Sequence, residues 1–141
     1  MDSLIGKWKL LENKDLDKFL IFYGYGWVKR QLALVSNIDL KLEITENPNI
    51  IKRIIDSSFL SGEELYYIDN KFHKNNEGLD KQHELRDNKI YSKVQGTSFD
   101  GTKFIFWNEI IEIENDKLIV RRFWEENGKQ TCSQIFEKYS N

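Results

Sequence analysis

Leu4-Ile5-Gly6-Lys7-Trp8-Lys9-Leu10-Leu11 opens the chain as an apolar strand, and Tyr23-Gly24-Tyr25-Gly26-Trp27 follows after a short helical stretch. Residues 15–23 are predicted to be helical, with acidic side chains in the first turn, where the helix dipole favours them. Residues 27–36 form a second predicted helix. Glycine tolerates positive φ, so Gly24 and Gly26 supply the sharp connection between the two. The sequence therefore predicts a helix-turn-helix, over about residues 15–36, inserted after the first strand.

The chain beyond residue 37 is predicted to be a series of antiparallel strands. Ile38, Leu40, Leu42 and Ile44 alternate with polar residues, which indicates a strand with one buried face. Turn signals then recur between apolar runs: Asn47-Pro48-Asn49, Asp87-Asn88, Asp100-Gly101, Asn115-Asp116 and Asn127-Gly128. Their spacing implies about ten strands in sequence order. A long meander that closes on itself leaves no open edge, which predicts an all-β, up-and-down antiparallel barrel.

The segment 56–86 is the least regular part of the pattern. Ser57-Ser58-Phe59, Tyr66-Tyr67-Ile68 and Asn70-Lys71-Phe72-His73 are candidate strands, whereas Asn75-Asn76-Glu77-Gly78 is typical of a loop. The strand boundaries in this segment are not fixed by the sequence.

Length and composition restrict the class of protein. The 141 residues predict one domain over 1–141, and the net charge of −2 argues against a nucleic-acid binder. The single cysteine, Cys132, excludes an internal disulfide and fits a reducing compartment. The start, Met1-Asp2-Ser3-Leu4, has no basic and apolar signal segment, so we expect a cytoplasmic protein.

Motifs along almost the whole chain resemble the intracellular lipid-binding proteins, which comprise the fatty-acid-binding and cellular retinoid-binding proteins. They are Ile5-Gly6-Lys7-Trp8-Lys9-Leu10, Asp15-x-Asp17-x-Phe19, Gly24-x-Gly26-Trp27, Ser57-Ser58-Phe59, Phe72, Phe99-Asp100-Gly101, Asp116-Lys117-Leu118 and Gln134-Ile135-Phe136-Glu137-Lys138. The resemblance implies a ten-stranded, calycin-like clamshell barrel with a helix-turn-helix lid and one hydrophobic ligand inside. It also implies these ligand-binding residues: Phe19, Tyr23, Phe59, Phe72, Phe106, Asn108, Val120, Arg122, Gln134 and Phe136. Phe59 corresponds to a residue at the portal beneath the lid, where an aromatic ring can gate entry.

The polar positions depart from the fatty-acid binders of this family. Many of those proteins hold the ligand carboxylate with an Arg-x-Tyr pair on the last strand and with a second arginine elsewhere inside. Here the pair is Gln134-x-Phe136, and counting from Asp100-Gly101 puts the second position near Asn108. Gln-x-Phe resembles the retinol-binding branch, in which a neutral amide faces an alcohol.

Arg122 is a candidate replacement for the missing arginines. Arg121 and Arg122 are adjacent on a strand, so one faces inward, and the family register puts Val120, Arg122 and Trp124 inside. An inward arginine needs a partner. Either an inward glutamate or a ligand carboxylate satisfies that requirement.

The other conspicuous residues are interpreted as structural. We expect Trp8 to close the barrel floor, Trp27 to anchor the lid, and Cys132 to be a buried, unreactive thiol. Lys29-Arg30 is interpreted as a solvated helix face, with contact to an anionic membrane as the alternative. His73 and His83 show no metal-ligand spacing, so we expect both to be solvated surface residues and expect neither a metal nor a cofactor.

These observations favour a non-enzymatic carrier of a long-chain fatty acid or a similar single-chain lipid. We expect a monomer whose partners are a small hydrophobic ligand and, transiently through the lid, a membrane. A carrier of retinol, another retinoid or another neutral lipid is the first alternative. The others are an enzyme on the same barrel that uses interior carboxylates such as Glu109 or Glu112, and an interaction module whose cavity is filled by aromatic side chains.

Overall fold

A computed structural model describes residues 3–139, with two helices and ten strands in the order that the sequence predicts. Met1 and Asp2, on which the expectation of no signal segment partly rests, lie outside the described residues. The helices are α1 (Leu16–Tyr23) and α2 (Trp27–Val35). The strands are β1 (Gly6–Lys14), β2 (Ile38–Ile44), β3 (Ile50–Ser57), β4 (Ser61–Tyr67), β5 (Phe72–Lys74), β6 (Asp80–Arg86), β7 (Lys89–Thr97), β8 (Phe104–Glu114), β9 (Lys117–Glu125) and β10 (Lys129–Lys138).

The strands form one antiparallel sheet that curls into a nearly closed barrel. Their order is β4-β3-β2-β1-β10-β9-β8-β7-β6-β5, so each strand pairs with its neighbours in sequence except at the β4–β5 junction, and β1 pairs with β10. The described strands β4 and β5 are the two ends of this sheet. The predicted all-β, up-and-down barrel with a helix-turn-helix lid is confirmed. Among the described residues, no helix combines the length and apolar character needed to cross a membrane.

Tight turns form where the sequence predicts them, because their residues adopt positive φ. Asp87 and Asn88 have φ of 53° and 59°, and Asn115 and Asp116 have φ of 52° and 63°. Asparagine and aspartate tolerate this left-handed region better than other non-glycine residues, and two such residues in succession suit a two-residue hairpin.

Gly24 ends α1 in a conformation that favours glycine. Its φ is 101°, and its N–H donates to the carbonyls of Leu20 and Ile21, each at 3.1 Å. A Cβ atom at this position would lie 3.0 Å from the backbone nitrogen of Asp100, so the lid also packs closely against the β7–β8 turn.

The irregular segment contains β4, β5 and β6. Tyr66 and Tyr67 end β4, and β5 is only three residues long, before the turn that begins at Asn75. The interpretation of Ser57-Ser58-Phe59 as a strand is wrong beyond Ser57. The Ser57 hydroxyl accepts hydrogen bonds from the N–H groups of Phe59 (3.2 Å) and Leu60 (2.7 Å), and these bonds turn the chain.

Two apolar clusters fill the barrel, one at each end. The lower cluster contains Trp8, which is 2% exposed and donates from Nε1 to the Leu4 carbonyl at 3.1 Å, consistent with its predicted place at the floor. The upper cluster joins the lid to the barrel rim and contains Leu16, Phe19, Leu20, Phe22, Tyr23, Trp107 and Trp124.

Candidate functional site

The inner wall of β9 and β10 is arranged as the sequence predicts. Val120, Gln134 and Phe136 are buried inside the barrel, and Arg122 shares their inward side. Arg122 Nε lies 3.1 Å from Oε1 of Glu109, and its Nη1 donates to Oε1 of Gln134 at 2.9 Å. The glutamate alternative for the partner of Arg122 is therefore the one present in the structure. The charge of Arg122 is compensated within the protein.

On β8, Phe106 and Asn108 were expected to line the ligand site inside the barrel, and this prediction is wrong. Both lie on the outer face, where Phe106 is 45% exposed, whereas Trp107 and Glu109 are buried on the inner face. Side chains alternate along a strand, so counting from Asp100-Gly101 with an error of one residue exchanges the two faces.

Glu112 is likewise not an interior carboxylate. It pairs with Arg121 at 2.8 Å and with Lys89 at 3.7 Å on the outside of the sheet. The hypothesis of two interior carboxylates working as an acid–base pair therefore retains only Glu109.

Aromatic side chains from the lid fill the upper half of the barrel. Phe19 contacts Trp107 and Trp124 edge-on, with ring centroids 5.1 and 5.4 Å apart, and stacks on Tyr23 at 6.1 Å. The Arg122 guanidinium carbon lies 5.1 Å from the Phe19 ring centroid. These contacts form an aromatic plug between the lid and the polar groups below it.

A cavity of about 50 Å³ lies beneath the plug. Its walls are mainly apolar, with a few polar side chains among them: Ile38, Leu40, Arg53, Ile55, Tyr66, Glu109, Ile111, Val120, Arg122, Gln134 and Phe136. This volume is enough for a small polar head group but not for a lipid chain.

A larger space of about 410 Å³ opens at the predicted portal, between α2, the β3–β4 turn and the β5–β6 turn. Phe59, Tyr25 and Phe99 line it, and the Tyr25 ring contacts both phenylalanine rings edge-on. Arg53 and Ile55 line both the portal space and the inner cavity, so these two side chains stand between the two spaces.

The basic pair on α2 is not a simple solvated face. Lys29 Nζ lies 4.2 Å from the ring centroid of Phe99, at the portal, and Arg30 Nε bonds Oδ1 of Asp17 at 2.9 Å. The lid is also tied to the β5–β6 turn, because the Tyr23 hydroxyl donates to Glu77 Oε2 at 2.8 Å.

Two predicted aromatic positions lie away from the cavity. Phe72 is 44% exposed on the short strand β5 and does not line the cavity. Trp27 is 66% exposed at the start of α2, so the expectation that it anchors the lid is wrong. In a helix as short as α2, Ala33 is buried and Leu34 packs partly against the upper cluster, whereas the other large apolar side chains face outward.

Side chains connect the two ends of the sheet. Glu64 of β4 pairs with Lys81 of β6 at 2.9 Å and accepts from Asn75 at 3.2 Å. The Tyr66 ring stacks on the His83 ring with centroids 4.0 Å apart. We call this group of contacts the seam. A space of about 590 Å³ lies along its outer side. His83 is 2% exposed, so the expectation that it is a solvated surface residue is wrong.

Burial and charge set the protonation of the seam. Burial opposes ionisation of Glu64, but Lys81 and Arg53 lower the pKa of this carboxyl below its usual value. Burial, and then the charge of Lys81, lower the pKa of His83 to about 4. At neutral pH the seam therefore contains an ionised glutamate and a neutral histidine.

Sequence reasoning missed the inward residues Arg53 and Tyr66. Arg53 lies in the run Ile50-Ile51-Lys52-Arg53-Ile54-Ile55, which is apolar on both faces, so alternation does not show whether Lys52 or Arg53 points inward. Pairing is the missing signal: Arg53 lies opposite Leu42 on one side and Glu64 on the other.

Cys132 is 2% exposed on β10, and burial raises the pKa of its thiol above the usual value. Both observations agree with the expectation of a buried, unreactive cysteine.

Comparison with solved structures identifies the fold. The Caenorhabditis elegans lipid binding protein 8, in its apo form, superposes with a TM-score of 0.82 at 18% identity, over 99% of this chain and 97% of that chain. The Schistosoma mansoni fatty acid binding protein in complex with arachidonic acid gives 0.81 at 17% identity, over 99% and 98%. Human cRBP IV gives 0.74 at 18%, over 96% and 98%. The sequence matches no protein-family model. The resemblance is therefore confirmed at the level of the fold: the chain has the barrel of the fatty-acid-binding and cellular retinoid-binding proteins.

Proposed function

We propose that this chain is a non-enzymatic intracellular carrier of a long-chain fatty acid or a similar single-chain lipid. The observation that carries the proposal is the presence of an inner cavity and a portal space that are both lined by Arg53 and Ile55. Together these spaces give a concave site in which apolar side chains such as Ile55 and Phe59 lie beside charged and polar ones, and small-molecule sites combine these two kinds of group. The likeness to lipid-binding structures supports the same class of ligand.

The lipid tail supplies most of the binding free energy. Burial of one methylene group contributes about 0.8 kcal/mol, so a chain of about fifteen gives roughly 12 kcal/mol before the costs of association. The tail occupies the portal space and displaces part of the aromatic plug, above all Phe19. Entry therefore requires that α1 and α2 move away from the rim, as lids do in other binding proteins.

A carrier of retinol or another neutral lipid is the second candidate. Gln134 and Phe136 both line the cavity, and Glu109 neutralises Arg122 beside them. An amide and a neutralised arginine suit an alcohol or another uncharged head group better than they suit a carboxylate.

The outer face of the lid is suited to brief contact with a membrane during transfer. Trp27, Val28, Leu32 and Val35 are exposed on α2, and they lie on one side of this helix. Large apolar side chains at the surface favour insertion between lipid head groups. The protein acts in this proposal as a cytoplasmic monomer that collects its ligand at one membrane and releases it at another.

Binding assays test the carrier function directly. The purified protein is examined by native mass spectrometry, and anything bound is extracted and identified. The delipidated protein is then titrated with oleate, oleyl alcohol and retinol in competition with Nile red, a neutral fluorescent probe. We expect saturable displacement by at least one single-chain lipid. Absence of any bound lipid, together with no binding of Nile red, oleate, oleyl alcohol or retinol, would refute the carrier and favour an interaction module with a filled interior.

A further inference from the structure

Buried polar atoms without partners mark one side of the cavity. Within residues 3–139, the side-chain atoms that are buried and lack a protein hydrogen-bond partner are Arg53 Nε, the Tyr66 hydroxyl oxygen and Trp107 Nε1. Arg53 and Tyr66 both line the inner cavity, and Trp107 belongs to the plug above it. Leaving such groups without a partner is costly, so two of them beside one cavity require an explanation.

The charges inside the barrel are also unbalanced on this side. In the described part of the chain, Glu109 forms an ion pair with Arg122 alone, at 3.1 Å. Glu64 forms ion pairs with two cations, Arg53 at 3.3 Å and Lys81 at 2.9 Å. Three cations, the buried Lys81 and the partly buried Arg53 and Arg122, therefore have two carboxylates as direct partners, and the excess positive charge lies at Arg53 and Lys81. Glu77 acts on Arg53 only at longer range. His83 adds no further charge at neutral pH because burial lowers its pKa to about 4.

Tyr66 is held in place without the use of its hydroxyl. Its ring is fully buried, stacks on His83 and lies 5.6 Å from the Arg53 guanidinium carbon. Burial raises the pKa of Tyr66 above its usual value, so the hydroxyl keeps its proton and is available as a donor. A carboxylate accepts hydrogen bonds from both groups, and the arginine also supplies the opposite charge.

We propose that Arg53 and Tyr66, on β3 and β4, bind the carboxylate head group of the ligand. This inference rests on the proposed carrier function and gives it a ligand class, an acid with an apolar tail. The head group fits the cavity of about 50 Å³. The tail runs past Ile55 along the apolar side of the portal space, which Tyr25, Phe59, Leu60 and Phe99 form, and away from the carboxylates of Glu63, Glu64 and Glu77 on its other side. The polar groups of β8 to β10 are occupied with one another and take no part in binding the acid.

Two substitutions test the assignment, and the structure indicates that both fold. Tyr66→Phe removes a hydroxyl that has no protein partner. Arg53→Met removes the charge, while Glu64 keeps Lys81 and Asn75 as partners. Tyr91→Phe is the matched control, because Tyr91 lies on the outside of β7, where its ring packs against Arg86. Thermal unfolding of each variant shows whether the fold is retained.

The measured quantity is the ratio of the dissociation constants for oleate and oleyl alcohol, obtained by competition with Nile red. We expect Arg53→Met to weaken oleate binding by about 10- to 100-fold, and Tyr66→Phe by about 5- to 10-fold. Affinity for oleyl alcohol changes less than about 3-fold in both variants, and Tyr91→Phe alters neither ligand.

The possible results separate this inference from the carrier function. If oleate and the alcohol bind equally well, or if Tyr66→Phe leaves their ratio unchanged, the head-group assignment is overturned and the carrier function stands. If Arg122→Gln abolishes the preference for the acid while Arg53→Met does not, the acid binds on the β8–β10 side and the assignment is also overturned. If the wild-type protein binds none of the lipids tested, both proposals fall.

Discussion

Arg122→Met tests whether the buried ion pair inside the barrel is a true charge pair. The substitution leaves Glu109 buried without the guanidinium that lies 3.1 Å from it. Gln134 loses the donor to its Oε1 but retains the hydrogen bond from its Nε2 to Asn13, at 3.1 Å. Removing one partner of a buried pair costs about 3–5 kcal/mol, because the remaining charge stays in a medium of low polarity.

The expected change in unfolding temperature follows from the length of the chain. With an unfolding entropy of about 2.1 cal/mol/K per residue, the 141 residues give about 0.3 kcal/mol/K, so the midpoint falls by about 10–17 °C. Arg121→Met is the matched control on the neighbouring residue. Arg121 pairs with Glu112 and Glu114 on the partly exposed outer face, and its loss costs about 1 kcal/mol or less.

A double-mutant cycle completes the measurement, with urea and thermal unfolding as the assays. Glu109→Met combined with Arg122→Met removes both charges, and we expect its stability to return to within about 1 kcal/mol of the wild type or to exceed it. Equal losses for Arg122→Met and Arg121→Met, or a double variant as unstable as Arg122→Met alone, would contradict the idea of an uncompensated Glu109.

Three further predictions concern the seam and the lid. The pKa of His83 lies at about 4 in the folded protein against 6.5 when unperturbed, so the unfolded chain binds the extra proton and stability decreases as the pH falls between these values. We expect urea unfolding to show that the free energy of unfolding decreases by about 3 kcal/mol across this pH range. This decrease should be absent in His83→Gln and present in the control His73→Gln. If the decrease is unchanged in His83→Gln, this histidine is not its source. Gly24→Ala should destabilise the protein by at least about 1–2 kcal/mol, measured by urea unfolding, because Gly24 has a positive φ and its Cβ position is close to the Asp100 backbone. Gly26→Ala is the control and should change stability by less, because the space around its Cβ position is open. Similar losses in both variants would argue against a strained turn at Gly24. The double variant Trp27→Ser/Val35→Ser should co-sediment with anionic vesicles at least about 10-fold more weakly than the wild type. The control Phe104→Ser removes an equally exposed ring from β8 and should have no effect. An equal loss in the double variant and in Phe104→Ser would indicate non-specific adsorption.

Much of the fold was predictable because its signals are local. Asn and Asp pairs adopt the positive φ of tight turns wherever they separate two apolar runs, and period-two alternation identifies strands such as β2. The inward orientation of Arg122 was predicted from the register of the resembling family, because the residues beside Arg121 on the other face, Ile119 and Phe123, are as apolar as Val120 and Trp124.

The site was less predictable because its geometry depends on pairing between strands. Asn108 was placed inside by counting along one strand, although the register between β8 and β9 puts Glu109 opposite Arg122. The inward orientation of Arg53 was not predicted because isoleucines lie on both faces of β3 around it. Trp27 was expected to anchor the lid because Gly24-x-Gly26-Trp27 resembles a family motif, but the short helix α2 has only a narrow buried side.

The seam determines how the barrel responds to force. Elsewhere around the wall, adjacent strands are joined by backbone hydrogen bonds, but β4 and β6 are connected by the Glu64–Lys81 ion pair and the Tyr66–His83 stack. Side-chain contacts at the seam can break and re-form while the backbone hydrogen bonds between paired strands are kept. We therefore expect the circumference of the barrel to change at the seam. If the barrel carries a lipid as proposed, we expect a bulkier ligand to widen the barrel at the seam while the other strands keep their register.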